Sequence, residues 1–371
     1  MTDKIAIYGA GLNGRAFQEA LESEGLIIGC FIDQFIKDRE INGKPVYRID
    51  EISDKNIVVY VSVALNPVAQ GDRSDIVSQL NDFGFKSVYG FLDSIRKFKK
   101  ILPFIISNKL LWMNSEPDGY VDNCELAKVR RLLCDKKSRR LLDKIVSFRS
   151  KPTADNYVVP DKETEYFPAD IDLLASVDRL RFIDCGAYTG DTIRSVMDYA
   201  NKTGKSIDYI VSFEPDKKNY TKLQEELVKQ HSGADKVIMI GYPAGVWSTN
   251  KTLEFSENGT SSSSIMFSDH AEEHSGKVQV ISLDETLYSA SPNYIKMDIE
   301  GAEREALLGA RNMIRDQSPV MAICVYHKPH DLWELPLLVN SINSEYDMYL
   351  RTHSHMCIST VLYCVPRQQN K

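Results

Sequence analysis

Two apolar runs, each stopping at a glycine bend and opening into a helical stretch, constrain this chain more than any other feature. The first, "IAIYGAGLNGRAFQEAL", reads as strand, turn and helix, with Gly9, Gly11 and Gly14 in the bend. The second, "FIDCGAYTGDT" at Phe182–Thr192, repeats the arrangement with Gly186 and Gly190. A strand that feeds a helix through a tight turn is half of a parallel crossover unit. Two such starts predict two open α/β sheets, and 371 residues leave room for two cores.

The flanking segments divide the chain. "LIIGCFID", "NIVVYVSV", "SDIVSQLNDFGF" and "KSVYGF" complete a small doubly wound domain over residues 1–100. Residues 101–170 lack strand signals, and apolar residues at helical spacing from Leu126 to Phe148 predict a helical bridge. Ten basic and two acidic residues lie between Lys128 and Lys151. They read as a solvated helical face or as a positive wall for a phosphorylated substrate. Strand signals resume with "RFIDC", "DYIVSFE", "KVIMIGY", "YIKMD", "VMAICVYH", "DMYLRT" and "STVLYCV", a second α/β domain over residues 171–371. A hairpin-like insertion runs from "KTLEFSENGTSSSSIMF" to "KVQVISL".

A net charge of -7 argues against a general nucleic-acid binder. Seven cysteines without a C-x-x-C pair suit a reducing compartment. The apolar segment Ile101–Trp112 is too short to span a bilayer and contains Pro103. A cytoplasmic location is the expectation.

The two bends imply different chemistries. Gly9, Gly11 and Gly14, with Asp33 closing the next strand, have the spacing of a dinucleotide fingerprint, in which backbone amides approach a pyrophosphate and the acid takes a ribose hydroxyl. A nucleotide, a nucleotide sugar, a nicotinamide cofactor or a structural turn all fit. No Tyr-x-x-x-Lys pair is present, which counts against a sugar oxidoreductase. In the second bend Asp184 precedes the glycines, where a carboxylate repels a pyrophosphate and suits a cationic ligand such as S-adenosylmethionine. Glu214 ends the following strand and can accept from both ribose hydroxyls. The order acid, glycine, glycine, acid points to an α/β fold with a class I methyltransferase Rossmann-like sheet.

The motifs "FIDCGAYTGDT", "FEPDKKNY", "VQVISLDETL", "YIKMDIEGAEREALLGA" and "MAICVYHKPHDLWELPLL", in that order, resemble FkbM-type methyltransferases over roughly residues 125–365. "YFPADI" resembles a bacterial subgroup associated with surface-glycan gene clusters. The resemblance implies S-adenosylmethionine as cofactor and a sugar or related hydroxyl as acceptor. The first hundred residues resemble small nucleotide-sugar-binding domains attached to some sugar-modifying enzymes, which implies a nucleotide-linked sugar as partner. One departure is that Tyr188 and Thr189 occupy the middle of the bend, where many methyltransferases carry a small residue.

The expected cofactor contacts are Asp184, Gly186, Ala187, Tyr188, Gly190, Asp191, Thr192 and Glu214. Strand ends converge on one rim of an open sheet. Asp298 is expected there as base or positioning group, or as a helix cap, and His327 as a base of near-neutral pKa. Glu303 reads as a first-turn acid favoured by the helix dipole. Glu300, His330, His353 and His355 are candidate acceptor contacts. Asp298, Glu300 and His327 are possible metal ligands, although their spacing matches no standard metal signature. Ser261–Ser264 can form an acceptor loop, and Trp247 an adenine wall or a core position. The alternatives are a nicotinamide-dependent sugar oxidoreductase and a non-catalytic binding protein with a vestigial methyltransferase fold.

Overall fold

The computed structural model describes residues 5–64, 76–115, 119–231, 237–256 and 275–367, so Ser261–Ser264 lie outside the described residues. The chain divides into two compact units. The first comprises Met1–Val121, Leu141–Lys162 and Thr352–Ile358. The second comprises Asp122–Arg140, Glu163–Arg351 and Ser359–Lys371. Residues 101–170 are thus shared between the units, and their described part carries helices at Ile101–Ile106, Asn123–Leu132 and Lys136–Ser150.

In the first unit, strands β1 (Ile5–Tyr8), β2 (Ile28–Ile32), β3 (Glu40–Ile41), β4 (Lys44–Tyr47), β5 (Val58–Val61) and β6 (Ser87–Tyr89) form one sheet in the order β3-β4-β2-β1-β5-β6. Every pairing is parallel except the β3–β4 hairpin. Ala6, Ile32, Val59 and Val61 pack with Leu80 and Phe85 on one face, and Ile7, Phe31 and Tyr60, which alternate with them, are buried as well, the two-sided burial that parallel strands need. The glycine bend after β1 has local reasons for its sequence. Gly9 sits at φ +94°, and a Cβ on Gly14 would stand 2.0 Å from the Gly9 carbonyl oxygen. Asp33 accepts the Ala10 amide at 2.9 Å through one oxygen and the Phe35 and Ile36 amides at 2.8 and 3.0 Å through the other. The acid read as a ribose contact therefore also closes the turn.

In the second unit, β7 (Arg179–Cys185), β8 (Ser206–Phe213) and β9 (Ile238–Tyr242) run parallel in chain order. A three-stranded insertion follows, made of β10 (Gly245–Val246), β11 (Lys251–Ser256) and β12 (Ser275–Ile281), with β11 and β12 antiparallel. The main sheet continues on the other side of β7 with β13 (Tyr294–Met297) and β14 (Val320–Cys324). Strands β15 (Tyr346–Thr352) and β16 (Thr360–Pro366) complete the order β15-β16-β14-β13-β7-β8-β9, with β16 antiparallel to β14. Chain order reverses between β7 and β13, and ligands of open α/β sheets bind at the carboxyl ends of strands at such a switch point. All residues of β13 and β14 are buried, including Lys296.

Arg351, also buried, ties the segment after Asp122 to β15, with Nη2 2.7 Å from Asp135 and 3.0 Å from Asp170. Three residues of the basic run have partners of their own. Lys137 pairs with Asp170, Arg139 donates to the Leu133 and Cys134 carbonyls, and Arg149 lies 4.9 Å over the Trp112 ring. Among the described residues no helix is long and apolar enough to cross a membrane.

Gly14→Ala is expected to destabilise the first unit by roughly 1–3 kcal/mol, because the methyl group must push the Gly9 carbonyl away. Urea unfolding of the variant measures this.

Candidate active site

The carboxyl end of β7 turns sharply because the chain must pass under the end of β13. Gly186 has φ +84°, and a Cβ there would fall 1.9 Å from the Asp298 carbonyl oxygen. Asp298 in turn donates its amide to the Cys185 carbonyl at 3.0 Å. Gly190, at φ +87°, caps the helix Asp191–Thr203, and a Cβ on it would meet Glu226 Cβ at 2.9 Å. No other residue type suits either position without strain.

Between these glycines Ala187 is buried, while Tyr188 is held at φ +47° with its side chain exposed. Asp191 is exposed and Thr192 buried. Glu214 closes β8 against the bend. One of its oxygens accepts the Tyr188 amide and the other the Asp216 amide, each at 2.8 Å. Burial pushes its carboxyl up to about 7, against the two amide hydrogen bonds. A carboxylate has about four acceptor sites, so two remain for ligand hydroxyls.

Asp184 is not open to a ligand. It is 0% exposed, and its Oδ1 lies 3.0 Å from the Lys296 ammonium, itself 2% exposed. Lys296 also donates to the Gly186 carbonyl at 2.6 Å and sits 5.2 Å over the Tyr166 ring. Burial disfavours the ammonium, but Asp184, then Asp298 and Asp191, outweigh it and hold Lys296 protonated. The cationic-ligand argument is corrected accordingly: the charge of Asp184 is met by Lys296, and the pair fixes the bend from inside.

Asp298 stands beyond β13 with a side chain 24% exposed. Tyr166 donates to its Oδ2 at 2.8 Å and Tyr326 to its Oδ1 at 3.2 Å. Burial acts to raise its pKa, yet Lys296, His327 and the Tyr166 hydroxyl together hold it below the usual carboxylate value. His327, after β14, is buried among acids. Its Nδ1 lies 2.9 Å from Glu303 Oε1, and its Nε2 lies 3.3 Å from Asp298 Oδ1 and 3.6 Å from Glu300 Oε2. Burial opposes its charge, but Glu303, Asp298 and Glu300 push it up to about 10. The imidazole expected at near-neutral pKa is therefore a cation in this setting. Glu303 opens the helix Glu303–Gly309, as a first-turn acid should, and its Oε1 also accepts the Ile299 amide at 2.9 Å.

The bend, Glu214, Asp298, Glu300 and His327 thus gather at one end of one sheet. His330 is half-buried at the start of the helix Asp331–Ile342, its ring 6.5 Å from that of Trp333. His353 and His355 belong to the first unit, where His355 Nδ1 meets the Tyr157 hydroxyl at 2.9 Å. Trp247 is half-buried, with Lys251 5.4 Å over its ring. Lys296, Tyr166 and Tyr326 are site residues that pattern reading passed over. Lys296 had a signal, since a lone charge inside the apolar strand "YIKM" needs a buried partner.

Residues 184–355, just under half of the chain, match the family model described as the methyltransferase FkbM domain. Methyltransferase FkbM from Methylobacillus flagellatus KT is similar in structure, at 21% identity and a TM-score of 0.62 over 98% of this chain and 90% of that one. An rRNA methylase from Streptococcus thermophilus aligns with 53% of this chain and 93% of its own, at 14% identity and a TM-score of 0.31. No curated protein matches.

Lys296→Met is expected to cost about 3–5 kcal/mol, because it strands a buried carboxylate. The double variant Asp184→Asn/Lys296→Met should regain much of that loss, which a double-mutant cycle in urea reads directly.

Proposed function

We propose that the chain is an S-adenosylmethionine-dependent O-methyltransferase acting on a sugar hydroxyl, in the assembly of a surface polysaccharide or related glycan. The acceptor in this reading is a nucleotide-linked sugar, and the Gly9–Gly14 turn of the first unit is the candidate site for its nucleotide. The observation that carries the reading is the meeting, at the sheet's switch point, of a glycine bend, a diol-accepting Glu214 and an acceptor-side Asp298.

The residues present fit the cofactor. Glu214 keeps free acceptor capacity beside the bend, and the glycines remove side chains from the approach. Asp191, Glu214, Asp298 and Glu300 leave the rim richer in acid than Lys296 and His327 can balance, which favours a ligand carrying positive charge. When bound, S-adenosylmethionine supplies a methyl group activated by its sulfonium. Lys296 holds the bend in place through the Gly186 carbonyl. Lys296, His327 and the Tyr166 hydroxyl hold Asp298 as an ionised carboxylate, and it orients the acceptor hydroxyl and takes its proton as that oxygen is methylated.

Incubation with S-adenosylmethionine and a panel of nucleotide sugars, read by mass spectrometry, should show one added methyl group on one acceptor; no product across the panel would sink the sugar reading. Asp298→Asn should lower kcat by about 10²–10⁴-fold while affinity for S-adenosylhomocysteine stays within about threefold. Because Glu214 accepts best when ionised and titrates near 7, affinity for S-adenosylhomocysteine should rise as pH climbs through that value. In Glu214→Gln the same rise should be absent. A Cβ on Gly11 meets nothing within 4 Å, so Gly11→Trp fills the mouth of the first bend without strain. Calorimetry should then show nucleotide-sugar affinity falling at least about tenfold, and unchanged binding would refute the nucleotide site.

A further inference from the structure

Around His327 the structure assembles more negative charge than its own cations offset. Three carboxylates face one imidazole: Glu303 at 2.9 Å, Asp298 at 3.3 Å and Glu300 at 3.6 Å. The neighbouring ammonium of Lys296 is committed to Asp184 and the Gly186 carbonyl, and that of Lys328 to the Gly301 carbonyl.

The buried polar atoms here are poorly served. His327 is 96% buried, its relative exposure being 4%, and neither ring nitrogen makes a well-aligned hydrogen bond among the described residues. Glu303 is fully buried, and its Oε2 has no hydrogen-bond partner among them. A buried polar atom without a partner costs about 1–3 kcal/mol, more when charged. One ligand atom each from Asp298, Glu303 and His327 lies within 4.8 Å of the others. Bonds of about 2.0–2.2 Å to a common ion place neighbouring ligand atoms about 2.9–3.6 Å apart. The separations from His327 Nε2 to Asp298 and Glu300 fall in that range and are longer than a good N–H···O bond, while Glu303 lies 2.9 Å from Nδ1 on the other side of the ring.

We propose that this cluster is a divalent-cation site, with Asp298, the half-exposed Glu300 and His327 Nε2 as ligands and Glu303 orienting the imidazole through Nδ1. One imidazole with several carboxylates selects a borderline cation such as Mn²⁺ or Zn²⁺ over the all-oxygen shell that Mg²⁺ prefers. The Tyr166 and Tyr326 hydroxyls serve as the outer groups that orient a ligating carboxylate. The ion's role in catalysis rests on the methyl-transfer reading above: at this place it adds Lewis acidity toward the same acceptor hydroxyl that Asp298 addresses.

The test reads binding apart from turnover. The full chain, stripped with chelator, is titrated with Mn²⁺ while free Mn²⁺ is followed by electron paramagnetic resonance, and with Zn²⁺ in competition. The wild type should remove one equivalent. His327→Ala should weaken Mn²⁺ binding at least about tenfold, and the surface variant Glu300→Gln, which leaves the core intact, should weaken it measurably. Wild type that leaves both ions free at millimolar concentration overturns the site, as does Mn²⁺ binding unaltered in both variants. Calorimetry with S-adenosylhomocysteine runs beside the metal titration. Failure of that ligand to bind, with Mn²⁺ still taken up, would overturn the methyl-transfer reading and leave the cation site standing.

Discussion

The contact between Lys296 and Asp184 is the constraint on which the C-terminal sheet's working edge depends. The two residues are register partners across β13 and β7, so the ion pair is built into the strand pairing itself. A one-residue slip would turn each side chain to the opposite face and strand two charges. Desolvating such a pair costs several kcal/mol per ion, and only close geometry and added hydrogen bonds offset it. Lys296 gains one of these from the Gly186 carbonyl, which links the pair to the bend. The bend then presses against the backbone of Asp298 so closely that Gly186 has no room for a side chain. Bend and acidic cluster are therefore one mechanical object.

This arrangement separates two tasks that a row of strand-end acids does not distinguish. Asp184 works inward as structural counter-charge. Glu214 and Asp298 retain capacity to meet something from solvent: Glu214 through unused acceptor sites, Asp298 through partial exposure. The clustering of acids around His327 is a third arrangement, in which a group usually invoked as a proton acceptor is instead enclosed by acceptors. Placement at a strand end located all of these residues, while burial and partners decided what each can do.

The α/β class and the two sheets were legible because each depends on local signals. Apolar runs such as "YIKMD" and "VMAICV" can only be strands covered on both faces, and the glycine bends mark the crossovers. The insertion of β11 and β12 was legible from its alternating pattern. The division of residues 101–170 between two units was not, since it depends on long-range contacts such as those of Arg351 with Asp135 and Asp170. Within the site, residue types and positions could be read, but not protonation. The proton balance at His327 depends on Asp298, Glu300 and Glu303, which come from the segment after β13 and the start of the helix that follows it. His353 and His355, close in sequence to β15, belong to the first unit. Strand proximity along the chain carried no information about which unit would claim them.

The position of β16 has a consequence for how the sheet is made. This strand lies between β14 and β15 and pairs antiparallel with β14, although it is the last of the three to be synthesised. Until residues up to Pro366 have been made, β14 has a vacant edge and β15 has only its bridge from Met348 to Leu133. Closure of that half of the sheet thus waits on the last of its strands in chain order. Until then the nascent chain exposes an unpaired apolar strand, the kind of edge that chaperones shield.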